Sequence, residues 1–165
     1  MIPLTTNADQ KVRVYQIASK MAETDLSKEF IADAVEMALE YEGVHDLMVL
    51  WEKETERSEQ GEVIADIQDM IDEHKEAPRK PVKKPYVKFD DLDTIAKNIL
   101  GFKKGLRKEV DRWGGIVKLA KETGIPQPSL SRFFNSASMP RRTTLYKIAD
   151  ALKLPEDKII LDWVA

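Results

Sequence analysis

The stretch GIVKLAKETGIPQPSLSRFFN, from Gly115 to Asn135, decides how the C-terminal part of this chain folds. Two short helices that pack at a steep angle need a small residue where their backbones approach, and Ala120 supplies it. The chain must then reverse within about three residues, which favours a left-handed backbone position such as Gly124 can adopt. The apolar residues spaced to bridge the two helices are Leu119, Ile125, Leu130 and Phe133. The spacing predicts two short helices joined by a tight turn, the skeleton of a helix-turn-helix.

The second of these helices has a polar face without acidic residues. It can begin at Gln127, with Pro128 at the first helical position, where a missing N–H costs nothing. We expect Leu130, Phe133 and Phe134 to point to the core and Pro128, Ser131, Arg132 and Asn135 to share the opposite face. An ordinary helical hairpin explains the apolar positions equally well, but it does not explain the acid-free face. A short polar face of this kind suits insertion into the major groove of DNA.

The side chains near the start of this helix have the chemistry to read bases. Gln127 is suited to an adenine edge, and Arg132 to a guanine or a phosphate. Ser129 and Ser131 are adaptable donors of the kind more often used on phosphates. These residue types therefore predict contacts both to base edges and to the DNA backbone.

The C-terminal third resembles the lambda-repressor/Cro-like family of helix-turn-helix proteins, also called XRE-type regulators. Three pieces carry the resemblance: KLAKETGIPQPSLSRFFN, the loop SASMPRRTT and the helix LYKIADALKLPEDKI. The resemblance covers residues 116–160, or 91–165 if the segment from Asp91 supplies the first helix of the family. It implies a five-helix bundle that binds operator DNA as a dimer.

The same resemblance assigns candidate DNA contacts. It places Gln127 and Ser129 at or near base-reading positions, and it places Arg141 and Arg142 where the family often contacts the DNA backbone. The candidate DNA-binding residues are Gln127, Ser129, Ser131, Arg132, Asn135, Lys118, Arg141 and Arg142.

The chain departs from the family pattern at two positions. Ile116 stands at the start of the first motif helix, where many members have a glutamine that braces a phosphate. Thr123, just before the turn glycine, replaces a residue that is commonly apolar. The first departure puts one phosphate contact in doubt, and neither changes the predicted fold.

The charges of the chain are divided between its two halves. Residues 1–77 contain 7 Lys and Arg against 19 Asp and Glu, whereas residues 78–165 contain 19 against 10. One explanation is that each half simply has a charged, solvated surface. An asymmetry of this size beside the acid-free helix favours a polyanion partner for the basic half.

The N-terminal half reads as four helices near residues 8–22, from Ser27 to Gly43, 44–57 and 59–75. Asn7 or Thr6 is placed to cap the first helix, Ser27 the second, and Gly43 is placed to end the second. Alternation around Val12 and Val14 leaves open a short strand, as in ribbon-helix-helix proteins. The helical interpretation makes this half a small acidic domain for dimerisation or partner binding.

Three prolines separate the two halves of the chain. Pro78, Pro81 and Pro85 prevent a regular helix, and the lysines and arginine between them keep the segment extended. We therefore expect an all-α protein with an acidic helical domain over 1–77, a linker over 78–90 and a five-helix lambda-repressor-like domain over 91–165. Gly101 and Gly105 either bend the first helix of that domain or split it.

Several classes of protein are disfavoured by the sequence. It has no cysteine, which excludes disulfides, thiolate nucleophiles and cysteine-bound zinc. Glu42 and His45 have the spacing of a carboxylate-bridged metal site, but His74 is the only other histidine and a metal centre is not expected. No signal peptide, membrane span, catalytic motif or cofactor site is recognised, and a cytoplasmic protein without enzymatic activity is expected.

Three functions fit these features. The first is a sequence-specific transcriptional regulator, a repressor that occludes a promoter as a dimer. The second is an antitoxin, whose acidic half neutralises a basic toxin while the basic half regulates its own operon. The third is a protein-interaction adaptor whose helix-turn-helix no longer binds DNA.

Overall fold

The computed structural model describes residues 2–3, 7–76 and 92–154, apart from the side chains of residues 92, 93 and 95. Within these residues the chain forms eight helices, and an isolated antiparallel bridge joins Pro3 to Tyr41. The all-α prediction is confirmed. No helix in the described part of the chain is long and apolar enough to cross a membrane. The helices are α1 (Ala8–Ala22), α2 (Lys28–Glu40), α3 (Glu42–Lys53), α4 (Arg57–Glu76), α5 (Leu92–Trp113), α6 (Gly115–Thr123), α7 (Gln127–Asn135) and α8 (Arg142–Leu152).

The chain divides into two compact units. The first contains the described part of Met1–Ala77 together with Gly124–Ser129, and the second contains the described parts of Pro78–Thr123 and Leu130–Ala165. The linker predicted over residues 78–90 lies outside the described residues.

Helices α1 to α4 enclose a core of apolar side chains. The helix α2 packs against the other three, and α3 packs against α1 and α4. The core forms because each helix contributes apolar residues at steps of three and four, which places them on one face. Its buried members are Val14, Ile17, Met21, Phe30, Ala34, Met37, Ala38, Val44, Met48, Trp51, Val63, Ile64, Ile67 and Ile71.

Two of the predicted helix caps are confirmed. The Asn7 side chain accepts a hydrogen bond from the Gln10 backbone N–H at 2.8 Å, and the Gln10 side chain accepts one from the Asn7 N–H at 3.0 Å. This reciprocal pair is a capping box, which satisfies two backbone donors that the first turn leaves free. The Ser27 hydroxyl accepts from the Phe30 N–H at 3.1 Å and caps α2. Thr6, the alternative cap, lies outside the described residues.

The prediction that Gly43 ends α2 is wrong. The helix ends at Glu40, and Gly43 lies in the first turn of α3. A Cβ at Gly43 would lie 3.0 Å from Cε of Met70 on α4. The glycine therefore allows another helix to approach closely and does not form a turn. Local sequence signals cannot distinguish these two roles of a glycine.

Two further expectations for this half are corrected. The strand around Val12 and Val14 is not formed, because both residues lie within α1 and Val14 is buried in the core. The third helix ends at Lys53 rather than near residue 57. There the Glu54 carboxylate accepts from the N–H groups of Thr55 and Glu56 at 3.0 and 3.1 Å, which favours a turn over a further helical turn.

An ion cluster ties α1 to α3 at the edge of the core. The Glu52 carboxylate pairs with Arg13, and its second oxygen lies 3.1 Å from Nζ of Lys20. A second ion pair joins α4 to α2, where Nζ of Lys75 donates to the Asp33 carboxylate at 2.7 Å. This hydrogen bond raises the pKa of Lys75. Because Lys20 and Lys75 are largely exposed, such pairs contribute on the order of 0.5 kcal/mol each.

Helix α5 continues through Gly101 and Gly105 without a break. The sequence left open whether these glycines bend or split it, and a single helix of 22 residues is observed. Among its described side chains, the buried ones are Ile99, Lys103, Leu106 and Val110. These residues stand four, three and four apart, so they form one stripe, and α6 and α8 pack against this helix. A charged residue thus lies inside an otherwise apolar stripe.

Candidate nucleic-acid interface

The turn between α6 and α7 has the backbone conformation that its glycine predicts. Gly124 adopts φ +76°, in the left-handed region, directly after α6 ends at Thr123. After Ile125 and Pro126, α7 begins at Gln127, as expected. Each of the two helices is nine residues long. These are the two short helices and the tight turn that the spacing predicted.

The apolar side chains of the motif are buried largely as expected. Leu119 and Leu130 are fully buried, and Ile125 and Phe134 are nearly so. Phe133 is only partly buried, and its ring meets that of Phe134 edge to face at a centroid distance of 4.9 Å. The core side of α7 is therefore held mainly by Leu130 and Phe134.

The two departures from the family pattern have local explanations. The Thr123 hydroxyl donates to the carbonyl oxygen of Leu119, one turn earlier in α6, at 2.7 Å. Threonine can therefore occupy a buried position that is commonly apolar, because its own helix satisfies its polar atom. Ile116 is buried, so it adds apolar contact to the interior of the motif.

The candidate residues on α7 differ in how far they reach solvent. Gln127 and Asn135 are exposed, whereas Ser131 and Arg132 are partly buried. Ser129 is partly buried, and its hydroxyl oxygen is buried without a hydrogen-bond partner among the described residues. The two ends of the helix are thus the most accessible to a ligand. Whether these residues contact DNA remains a prediction.

The remaining candidates lie on α6 and at the start of α8. Arg141 precedes the first turn of α8 and Arg142 is its first residue, with Arg142 exposed. Lys118 on α6 is exposed, but its ammonium group lies 4.2 Å from the centroid of the Trp113 ring. This contact holds the Lys118 side chain beside α5 and limits its reach as a phosphate ligand.

Electrostatics favour an anion at this surface. No Asp or Glu occurs between Glu122 and Asp150, a span that contains the turn, all of α7, the following loop and most of α8. The basic residues in that span are Arg132, Arg141, Arg142 and Lys147. Because this span carries cations and no carboxylates of its own, its residues attract phosphates. A nearby acidic group is Glu29, whose carboxylate oxygen would lie 3.0 Å from a Cβ at Gly124.

The sequence interpretation missed Lys103, which is 1% exposed. Its ammonium group donates to the Ser136 carbonyl oxygen at 2.8 Å and lies 4.6 Å from the centroid of the Phe133 ring. Burial lowers the pKa of Lys103 to about 8. The spacing of the sequence did indicate a buried position, because Lys103 stands four residues after Ile99 and three before Leu106 on the apolar stripe. Lys103 was nevertheless overlooked because it is charged, since lysines are almost never fully buried.

A metal centre finds no structural counterpart in the described residues. No group of three or more His, Asp or Glu side chains is placed there to hold an ion. The Nδ1 atom of His45 lies 3.4 Å from Asp46, and the His74 ring packs against Tyr41 at a centroid distance of 5.4 Å.

Comparison with known proteins identifies the C-terminal part. Residues 116–159 match the family model described as "Helix-turn-helix". No curated protein and no solved structure matches the chain. The C-terminal part therefore carries a helix-turn-helix domain of the XRE type, a type of domain that binds DNA. The matched residues contain α7, α8 and all but the first residue of α6. The five-helix bundle remains a prediction, and the chain after residue 154 lies outside the described residues.

Proposed function

We propose that this protein is a sequence-specific transcriptional repressor. In this proposal it acts as a dimer, and residues 91–165 of each copy bind operator DNA. The observation that carries the proposal is the acid-free α7 after the left-handed turn at Gly124, within a segment that matches the helix-turn-helix family. The acidic helices of residues 1–77 supply dimerisation or a regulatory contact in this proposal.

The proposed mechanism divides the contacts between bases and phosphates. The start of α7 enters the major groove, where the exposed Gln127 reads an adenine edge and Arg132 reads a guanine or a phosphate. Arg141 and Arg142, at the start of α8, bind the backbone next to the groove. Ser131 and Asn135 lie along the same helix and add hydrogen bonds. Two copies on adjacent half-sites then occlude a promoter.

The operator is unknown, so the test begins with selection of duplexes from a random-sequence DNA pool by the full-length protein. We expect one motif to be enriched, with half-sites spaced by about 10 base pairs if the protein binds as a dimer. Affinity for the selected duplex should fall steeply as salt is raised. If no sequence is enriched and binding to random duplex is equally strong, specific recognition is excluded.

Alanine variants then test the assigned contacts. Arg132→Ala and Gln127→Ala should each weaken binding to the selected duplex by about 5- to 100-fold, because a good base contact is worth about 1–3 kcal/mol. Arg112→Ala is the matched control. Arg112 is exposed on α5 and pairs with Glu109 at 3.5 Å, so its loss should change affinity less than threefold. Equal effects of Arg132→Ala and Arg112→Ala would show that α7 is not the reading helix.

An antitoxin is the second candidate, and the charge of residues 1–77 favours it. That segment carries a net charge of −12, and Glu59, Glu62, Asp66 and Glu73 of α4 are exposed. A surface of this kind is complementary to a basic protein.

Co-expression of the full chain with the product of the neighbouring reading frame tests the antitoxin hypothesis. A stable complex, together with relief of growth arrest caused by that product alone, would favour the antitoxin over a simple repressor. DNA binding by the same chain would be expected in both cases. Absence of any DNA binding would instead favour the third hypothesis, a protein-interaction adaptor.

A further inference from the structure

The recognition helix α7 is held at its C-terminal end by two basic residues of α5. The ammonium group of Lys103 lies 4.6 Å from the ring centroid of Phe133, and one turn later the Arg107 guanidinium lies 5.5 Å from that of Phe134. Since Phe133 and Phe134 are consecutive residues of α7, both cation–π contacts act on the same helical turn.

Lys103 also binds the backbone just after α7. Its Nζ donates to the carbonyl oxygen of Ser136 at 2.8 Å and approaches the Ser136 hydroxyl at 3.3 Å. That hydroxyl in turn lies 2.7 Å from the hydroxyl of Ser138. The carbonyl groups at the end of a helix lack partners within it and carry partial negative charge, so an ammonium group is well placed there.

The loop that Lys103 anchors leads directly to the predicted backbone contacts. It runs from Ser136 to Arg141, contains no regular structure, and is exposed over residues 137–139. Arg141 and Arg142 follow at the start of α8. The position of these arginines relative to α7 depends on the loop as well as on the packing of α8 against α5 and α6, and Lys103 is a side chain of α5 that holds the loop.

We infer that Lys103 is a positioning residue for DNA binding, which fixes the C-terminal end of α7 and the 136–141 loop so that α7 and the arginines of α8 engage DNA together. The inference rests on the proposed DNA-binding function. Lys103 itself does not touch DNA, because its ammonium group is buried and turned to Ser136 and Phe133. Its loss costs affinity because the loop must then be ordered on binding.

The test compares Lys103→Met with Lys104→Met in the full-length protein. The probe is the duplex selected by the wild-type protein. Both variants lose one positive charge by the same substitution, but Lys104 is exposed and lies beside the buried position. We expect Lys103→Met to bind about tenfold more weakly than wild type, which corresponds to one charged hydrogen bond. Lys104→Met should stay within threefold.

The salt dependence separates positioning from direct contact. A residue that neutralises a phosphate lowers the slope of log affinity against log salt by about 0.9 when it is removed. Lys103→Met should keep the wild-type slope, whereas Arg142→Ala should lower it. Amide relaxation of residues 136–139 should show a more mobile loop in Lys103→Met only.

Each outcome decides the inference. Wild-type affinity in a folded Lys103→Met protein overturns it, and so does a reduced salt slope, which would make Lys103 a phosphate ligand. If Lys103→Met does not fold, Lys103→Gln replaces it. The glutamine nitrogen falls about one bond length short of the Ser136 carbonyl, so weakened binding is again expected and unchanged binding overturns the inference. Failure of the wild-type protein to select any DNA overturns the proposed function first.

Discussion

The hydroxyl group of Thr123 donates to the carbonyl oxygen of Leu119 at 2.7 Å, within α6 and immediately before the turn of the helix-turn-helix. Thr123 is 9% exposed, so its methyl group contributes to the core while its oxygen is satisfied by its own helix. This relationship explains a polar residue at a position where the family commonly has an apolar one. The hydroxyl group and the methyl group of Thr123 thus have different roles, which two substitutions can test separately.

Thr123→Val should leave the free energy of unfolding of the helix-turn-helix within about 1 kcal/mol of wild type or raise it, because Leu119 keeps its helical position without the extra bond. Thr123→Ser keeps the hydroxyl and loses the methyl, and should cost about 1 kcal/mol. Urea denaturation followed by NMR resonances of α6 and α7 in the full-length protein measures both. The interpretation fails if valine is the more damaging of the two.

Gly124→Ala should destabilise the helix-turn-helix by about 1–2 kcal/mol, since a Cβ at φ +76° meets the following carbonyl. Gly105→Ala is the opposite control. Gly105 lies inside α5, where an added Cβ would have no neighbour within 4 Å, and alanine there should stabilise by about 0.5–1 kcal/mol. The same NMR-detected denaturation measures both changes. Equal signs for the two variants would contradict the assignment of Gly124 to a left-handed turn.

Lys153→Gly should stabilise α8 by about 1 kcal/mol. Lys153 ends that helix at φ 56°, ψ 39°, a left-handed conformation that glycine adopts without a Cβ penalty. Lys153→Ala controls for the lost charge, because alanine keeps the Cβ and should show no gain. Thermal denaturation monitored at α8 resonances distinguishes them. A glycine variant no more stable than the alanine variant would disprove the strain.

The stability of the second unit should rise between pH 8 and 10 through Lys103. Its pKa in the folded protein is about 8, below the ordinary 10.5, so the folded state favours the neutral amine. Its contribution to stability is therefore present above pH 10.5 and is lost as the pH falls towards 8.

The measurement is the difference in unfolding free energy between wild type and Lys103→Met at pH 7 and pH 10. It should shift in favour of wild type by on the order of 2 kcal/mol as the pH rises. Lys75, whose pKa is raised by Asp33, acts in the opposite direction, but it is present in both proteins and cancels. A difference that does not change with pH would show that Lys103 titrates normally.

Features that depend on neighbouring residues could be predicted from the sequence. The caps at Asn7 and Ser27 and the turn at Gly124 each involve residues within about four positions of one another, so residue type and spacing suffice. The division of charge could also be predicted, because it needs only the residue types. The acid-free face of α7 could be predicted because helical periodicity assigns residues to faces without knowledge of the fold.

Features that depend on distant residues could not be predicted. Gly43 carried the signal of a helix end, yet its role is set by Met70, which is 27 positions away along the chain. The uninterrupted course of α5 through two glycines was likewise left open, because packing decides whether a weak helix former is tolerated.

By itself, then, the sequence determined that the chain is helical, that its C-terminal part is a helix-turn-helix, and that α7 carries no acidic residue. Local backbone preferences and periodicity carry that information. Only the tertiary structure decided that Lys103 is buried beneath Phe133 and bound to Ser136, 33 residues away. The burial of a charged group depends on whether distant elements supply it with partners, and that becomes apparent only when those elements meet.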